Sequence, residues 1–258
     1  MNEKTRTRAR RRAAYLLPSA FTIGNVFLGF FAIILSLRGR FEFAAACIMV
    51  AGVLDTLDGK IARLLGTESD FGKEFDSLAD VLTFGLSPAL VSHLWGLERF
   101  PRIGWLVPLY YILCCATRLA RFNVQTSRVD SRYFVGLPSP AAAGGVTSFI
   151  LLFPNPGSER LLLFGMLAAL VLLGSLMVST FRYWSLKSLD LKKPRTYRVA
   201  LPLAAFVVLL AFYPELLLPA IALVYSASGP VLWLSGRFRS RHAPAAGAPA
   251  SPPESPAG

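Results

Sequence analysis

Residues 54–82 read LDTLDGKIARLLGTESDFGKEFDSLADVL, and four of their carboxylates fall in two pairs, Asp55 with Asp58 and Asp76 with Asp80. Spacings of three and four place each pair on one face of a helix. The polar link Gly66-Thr67-Glu68-Ser69-Asp70 lies between the pairs, so two helices joined by a turn can face all four into one pocket. Apolar sequence flanks both helices. A charge at the centre of a lipid-embedded segment costs about 2.5–3.5 kcal/mol or more, so four carboxylates call for positive charge nearby. Oxygen-only ligands suit hard cations such as Mg²⁺ or Mn²⁺, and four carboxylates are enough for two ions.

Outward from this hairpin, apolar runs approach twenty residues, the length that crosses a bilayer. Of the 258 residues 54% are hydrophobic and only 16% charged, against about 25% charged in ordinary soluble domains. The expected fold is therefore all-α: a polytopic membrane helical bundle of about eight transmembrane helices. Their expected positions are 15–36, 42–63, 72–97, 103–122, 138–154, 159–181, 198–213 and 215–235. Residues 1–14 form a basic N-terminus, 15–236 one transmembrane domain, and 237–258 a disordered tail rich in Ala and Pro. The first apolar run, about 22 residues long, exceeds the core of a signal peptide and reads as a retained helix.

With both termini in the cytoplasm, the outer loops hold only Arg38, Arg40, Arg99, Arg102 and Arg160; the remaining 22 of the 27 Lys and Arg lie inside. That asymmetry follows the positive-inside rule and puts the aspartate hairpin on the cytoplasmic side of the cell membrane. It also accounts for the net charge of +12 without a nucleic-acid partner. Lys187, Lys192, Lys193 and Arg195 read as a topology signal that touches anionic membrane lipids. Cys47, Cys114 and Cys115 sit in apolar runs and read as core residues with no disulfide. Neither His93 nor His242 has a partner suggesting a Ser–His or zinc site. Gly144-Gly145 reads as a close helix contact.

Gly59, Ala62 and Gly72 share the aspartate faces and leave room beside the backbone. An interior helical glycine costs roughly 1 kcal/mol against alanine, so two here indicate a space requirement, one that a nucleotide fits. Arg63 supplies a fixed cation for phosphate. The pattern Asp55-x2-Asp58-Gly59-x2-Ala62-Arg63-x8-Gly72-x3-Asp76-x3-Asp80 resembles the signature of the CDP-alcohol phosphatidyltransferase family. The resemblance implies an integral-membrane enzyme that moves a phosphatidyl group from CDP-diacylglycerol to an alcohol and releases CMP. It implies that Asp55, Asp58 and Asp76 bind metal, and that Asp80 touches the metal and takes the proton of the acceptor hydroxyl. It further implies that Ser19, Thr22, Asn25, Gly59, Ala62, Arg63, Ser69 and Gly72 bind CDP-diacylglycerol, and that two copies of the chain pair. No Ser, Cys or His nucleophile lies in the motif, which favours direct transfer.

The motif does not choose the alcohol. Pro18-Ser19-x2-Thr22 with Gly24-Asn25, then Arg118-Leu119-Ala120-Arg121-Phe122-Asn123, then Phe134-Val135-Gly136-Leu137-Pro138-Ser139-Pro140-Ala141 resemble the branch of the family whose acceptor is L-serine. The resemblance covers roughly residues 15–150. Arg118 and Arg121 share a helix face, and a guanidinium binds a carboxylate bidentately; the same pair suits a lipid phosphate, and flanking positive charge is the plainer reading. Asn123 and Ser139 are further candidates for the acceptor. Glycerol 3-phosphate, inositol or inositol phosphate are alternative acceptors for the same chemistry. A cation transporter using the aspartates is a different class of reading, set against sites that lie at the membrane midplane in transporters. A lipid-binding scaffold without turnover leaves the signature unexplained.

Overall fold

The structure, a computed structural model, describes residues 3–65, 70–125, 133–157, 159–184 and 214–241. Its helices are α1 (Glu3–Leu37), α2 (Phe41–Leu65), α3 (Asp70–Asp80), α4 (Ser87–Trp95), α5 (Ile103–Gln125), α6 (Ser139–Leu152), α7 (Arg160–Val178) and α8 (Pro214–Arg241). A π-helical turn, Val81–Leu86, joins α3 to α4, and a 3₁₀ turn, Leu97–Arg99, comes after α4. Among the described residues four stretches are long and apolar enough to cross a membrane: Ala20–Leu37, Phe71–Trp95, Ile103–Val124 and Arg160–Val178. Helix α2 is 25 residues long, but its second half carries Asp55, Asp58, Lys60 and Arg63.

The expected spans differ in instructive ways. Helix α1 starts at Glu3 and takes in the basic segment expected to precede it. The stretch 72–97 is α3, the π turn and α4 in series, not one regular helix. Helix α6 has 14 residues, about 21 Å of rise, against a hydrocarbon core of about 30 Å; it falls short of the expected 138–154 span. Helix α8 continues to Arg241, past the expected boundary at 236. The expected span 198–213, the cluster Lys187 to Arg195 and residues 242–258 lie outside the described residues.

Small residues let the helices approach. Ala32 of α1 and Ala44, Ala45, Ile48 and Ala51 of α2 are buried, and the two helices pack along each other. A Cβ at Gly145 would stand 3.0 Å from Leu173, while one at Gly144 would meet nothing within 4 Å. Only one of the two glycines thus serves a close contact, that of α6 with α7. Leu170, Leu173 and Met177 of α7 complete a core with Ala142, Val146 and Ile150 of α6. Large apolar side chains face outward as well, among them Phe30, Phe71, Leu113, Leu161 and Leu172, as suits a lipid surrounding. All three cysteines are free, with Cys114 and Cys115 buried.

One feature departs from an all-helical chain. Tyr133–Val135 (β1) pairs antiparallel with Arg182–Trp184 (β2), Phe134 opposite Tyr183. The ribbon docks on α8 through Tyr183, whose hydroxyl donates to the Ser226 carbonyl at 3.2 Å. Gly229 packs against the same ring, and a Cβ there would lie 2.4 Å from it. Because the ring is held at its tip, Gly229→Val is expected to destabilise the fold by about 1–3 kcal/mol, measurable as a lowered thermal midpoint of the detergent-solubilised protein.

Candidate active site

The hairpin of α2 and α3 brings the carboxylates together by simple arithmetic. Asp55 lies ten residues before Leu65, the end of α2, and Asp80 ten residues after Asp70, the start of α3. At 1.5 Å per residue both stand about 15 Å from the link that joins the helices, so they sit level. Carboxylate oxygens of Asp55, Asp76 and Asp80 all lie within 4.8 Å of one another. Asp80 Oδ1 is buried and has no hydrogen-bond partner. A buried acceptor left unpaired costs about 1–3 kcal/mol, more for a charged group. Three anionic oxygens this close, one of them orphaned, fit a divalent cation, whose bonds to oxygen run about 2.0–2.6 Å. The cluster can hold such an ion.

Asp58, Gly59, Ala62 and Arg63 occupy the last turns of α2, and Ser19 lies on α1; their side chains are outside the described residues, as is Ser69 altogether. Gly72 is half-buried near the start of α3. Thr22 and Asn25 are both buried on α1. The Asn25 amide is 0% exposed, yet neither its oxygen nor its nitrogen has a hydrogen-bond partner. Buried side-chain amides are rarely left so, and both ends of the Asn25 amide can serve a polar ligand.

The four residues expected around the acceptor separate into two sets. Arg118 is buried and donates from Nη1 to Ser139 Oγ at 2.8 Å, while its Nε is buried without a partner. It stands within electrostatic reach of Asp55 and Asp80. Arg118 and Ser139 therefore form an anion-ready pair beside the carboxylates. Arg121, three residues on, does not join them. Its guanidinium donates to the carbonyls of Val178, Val135 and Ser179 at 3.0–3.1 Å, so it clamps the end of α7 to β1. Asn123 hydrogen-bonds Ser77 at 3.1 Å and Glu74 at 3.4 Å, which ties the end of α5 to the helix carrying Asp76 and Asp80.

The turn before Ser139 is built around Gly136, which has φ +84°. Its N–H donates to the Phe181 carbonyl at 2.8 Å and that of Leu137 to the Leu176 carbonyl at 3.0 Å. Pro138 then leads into α6, with Ser139 as the first residue of the helix. The Arg121 clamp has no local signal in the sequence. The ribbon's only local signal is two three-residue runs, Tyr133-Phe134-Val135 and Arg182-Tyr183-Trp184, in which every residue but Arg182 favours strands.

A carboxylate cluster able to hold a hard cation is thus set among apolar helices, with an unpartnered arginine nitrogen nearby. Residues 15–173 match the family model of CDP-alcohol phosphatidyltransferase, and the chain belongs to that family. The match bears out the resemblance carried by the aspartate motif and extends past the region that resemblance covers. A CDP-diacylglycerol–serine O-phosphatidyltransferase of Helicobacter pylori is 41% identical over 185 residues, covering 67% of this chain and 76% of the relative. The Bacillus subtilis protein of the same name is 38% identical over 141 residues, 54% of this chain and 77% of the relative. An archaetidylserine synthase of Methanothermobacter thermautotrophicus is 37% identical over 169 residues, 65% of this chain and 69% of the relative.

A Cβ at Gly136 would meet the Met177 carbonyl oxygen at 2.3 Å, and its backbone conformation is one that L side chains rarely adopt. Gly136→Ala is expected to destabilise the protein by at least about 1 kcal/mol, read as a lower thermal midpoint.

Proposed function

We propose that this chain transfers the phosphatidyl group of CDP-diacylglycerol to the hydroxyl of L-serine, giving phosphatidylserine and CMP. The observation that carries the acceptor is the buried Arg118, held by Ser139 with Nε free. A guanidinium so fixed suits a carboxylate, and serine is the acceptor that brings one. Relatives from two bacteria and an archaeon, whose names agree on serine, support the same reading.

Asp55, Asp58, Asp76 and Asp80 would hold the divalent cation, Mg²⁺ or Mn²⁺. Four carboxylates provide for two ions. When bound, the ions supply positive charge that offsets the pyrophosphate and the departing CMP. The chain's own groups do the rest. Arg118 orients serine by its carboxylate, and Asp80 accepts the proton of its hydroxyl. The serine oxygen forms a bond to the phosphatidyl phosphorus, and the bond from that phosphorus to the CMP oxygen breaks. Asn25 and Thr22 on α1, with Gly59, Ala62, Arg63 and Gly72 on the hairpin, receive CDP-diacylglycerol. Arg121 and Asn123 hold the frame and do not touch the acceptor. The site opens to the cytoplasm in a bundle of eight spans with both termini inside, an orientation supported by the Lys and Arg distribution.

Two substitutions test the assignment with purified protein, CDP-diacylglycerol, Mn²⁺ and labelled serine. Asp80→Asn is expected to slow turnover by about 100-fold or more while CDP binding, followed by calorimetry, is largely kept; an active Asp80→Asn enzyme removes the base role. Arg118→Ala is expected to raise the KM for serine roughly 10-fold or more and that for CDP-diacylglycerol little. The reverse pattern makes Arg118 a ligand of the lipid phosphate. CMP release that answers to glycerol 3-phosphate or inositol in place of serine moves the acceptor.

A further inference from the structure

Asp80 is the last residue of α3, and the π-helical turn Val81–Leu86 begins at the next position. Adding one residue to a turn rotates the next helical segment by roughly 100°, the arc of one α-helical residue. The turn thus sets the angle between the face of α3 that carries Asp76 and Asp80 and the buried face of α4. Such a turn departs from regular i to i−4 pairing, and its carbonyls need partners. The Ser87 N–H and its Oγ both go to the Leu82 carbonyl, the latter at 2.8 Å. The Phe84 carbonyl is taken by the hydroxyl of Tyr111 on α5, at 3.1 Å. Thr83 Oγ1 donates to the Asn25 carbonyl of α1 at 3.3 Å.

Packing closes around the turn. Tyr111, Phe84 and Thr83 are each 0% exposed. A Cβ at Gly85 would stand 3.2 Å from Cys115 Sγ, and one at Gly29 of α1 would stand 3.0 Å from the Thr83 backbone. The turn is gripped from α1 and from α5, and the hydroxyl of Tyr111 is the polar grip on the α5 side. A buried hydroxyl has a directional preference that an apolar contact lacks.

We propose that Tyr111 is a positioning residue: by holding the π turn, its hydroxyl fixes Asp76 and Asp80 against Asp55 at the spacing that binds the divalent cation. The role rests on the reading of these carboxylates as metal ligands. It differs from a packing role, because the ring alone fills the same space while only the hydroxyl reaches the Phe84 carbonyl.

The test is Mn²⁺ binding by the purified full chain in detergent without substrate, followed by the loss of the free Mn²⁺ resonance in electron paramagnetic resonance. Tyr111→Phe is expected to weaken Mn²⁺ about 10-fold, the usual scale for losing a group that orients a metal ligand. Thr83→Val is expected to weaken it as well, and Thr83→Ser, which keeps the hydroxyl, to bind as wild type does. Folded Tyr111→Phe with wild-type Mn²⁺ affinity overturns the positioning role. Should Tyr111→Phe fail to fold, the Thr83 pair decides: Val weaker than Ser supports the turn as the positioning device, and equal affinities overturn it. A wild-type chain that binds no Mn²⁺, and matches Asp55→Asn and Asp80→Asn in this, overturns the metal reading and the positioning role with it.

Discussion

Carboxylate oxygens from three side chains lie within 4.8 Å of one another between apolar helices, and much of the structure answers to that crowding. Like charges at such distances repel strongly wherever water is scarce. Without a counter-charge the arrangement is costly, so the helices bearing it must be held by contacts elsewhere. That explains why the hairpin does not stand on its own link. Helix α1 packs along α2. Helix α5 ties α3 through Asn123 and the π turn through Tyr111, and its Arg118 brings a guanidinium within reach of Asp55 and Asp80.

The depth of the cluster comes from the same geometry. Asp55 and Asp80 stand about 15 Å along their helices from the link, not at its tip. A phosphate-bearing headgroup reaches that level only if the hairpin leaves space, which Gly59, Ala62 and Gly72 provide in the sequence. Proximity to the polar end of the helices lowers the desolvation cost below that of a midplane charge. The cluster thus lies about three helical turns from the link, away from the tip of the hairpin.

The aspartates were legible in the sequence because helical periodicity acts locally: spacings of three and four fix a face whatever the surroundings. The apolar runs were legible for the same reason, since bilayer thickness sets their length. Other features depend on contacts between distant residues. Arg121 has the same spacing from Arg118 as any pair on one helix face, and nothing local says that three carbonyls from two other segments will capture it. The ribbon pairs residues 133–135 with 182–184, and six residues carry too little pattern to announce a strand. The π turn leaves no mark in the residues Val81–Leu86, because it is stabilised by a tyrosine on α5 and a carbonyl on α1. The short α6 is shorter than its apolar run because Pro138 and Phe153 are apolar, though neither continues the helix.

Helix α5 emerges as the element that couples the two halves of the chemistry. Tyr111, Cys115 and Arg118 lie at spacings of four and three and so share a face; this face meets the π turn at one level and Ser139 at the next. One turn further on, Arg121 and Asn123 face different neighbours and anchor the helix end, to α7 and β1 in one case and to α3 in the other. The carboxylate cluster and Arg118 are therefore both registered against a single helix. A shift of α5 along its axis would move Arg118 and the Tyr111 grip together, keeping their relation to each other while changing their height against Asp55. In the proposed function, acceptor choice rests on the residues that α6 and the Gly136 turn present to Arg118, apart from the carboxylate cluster.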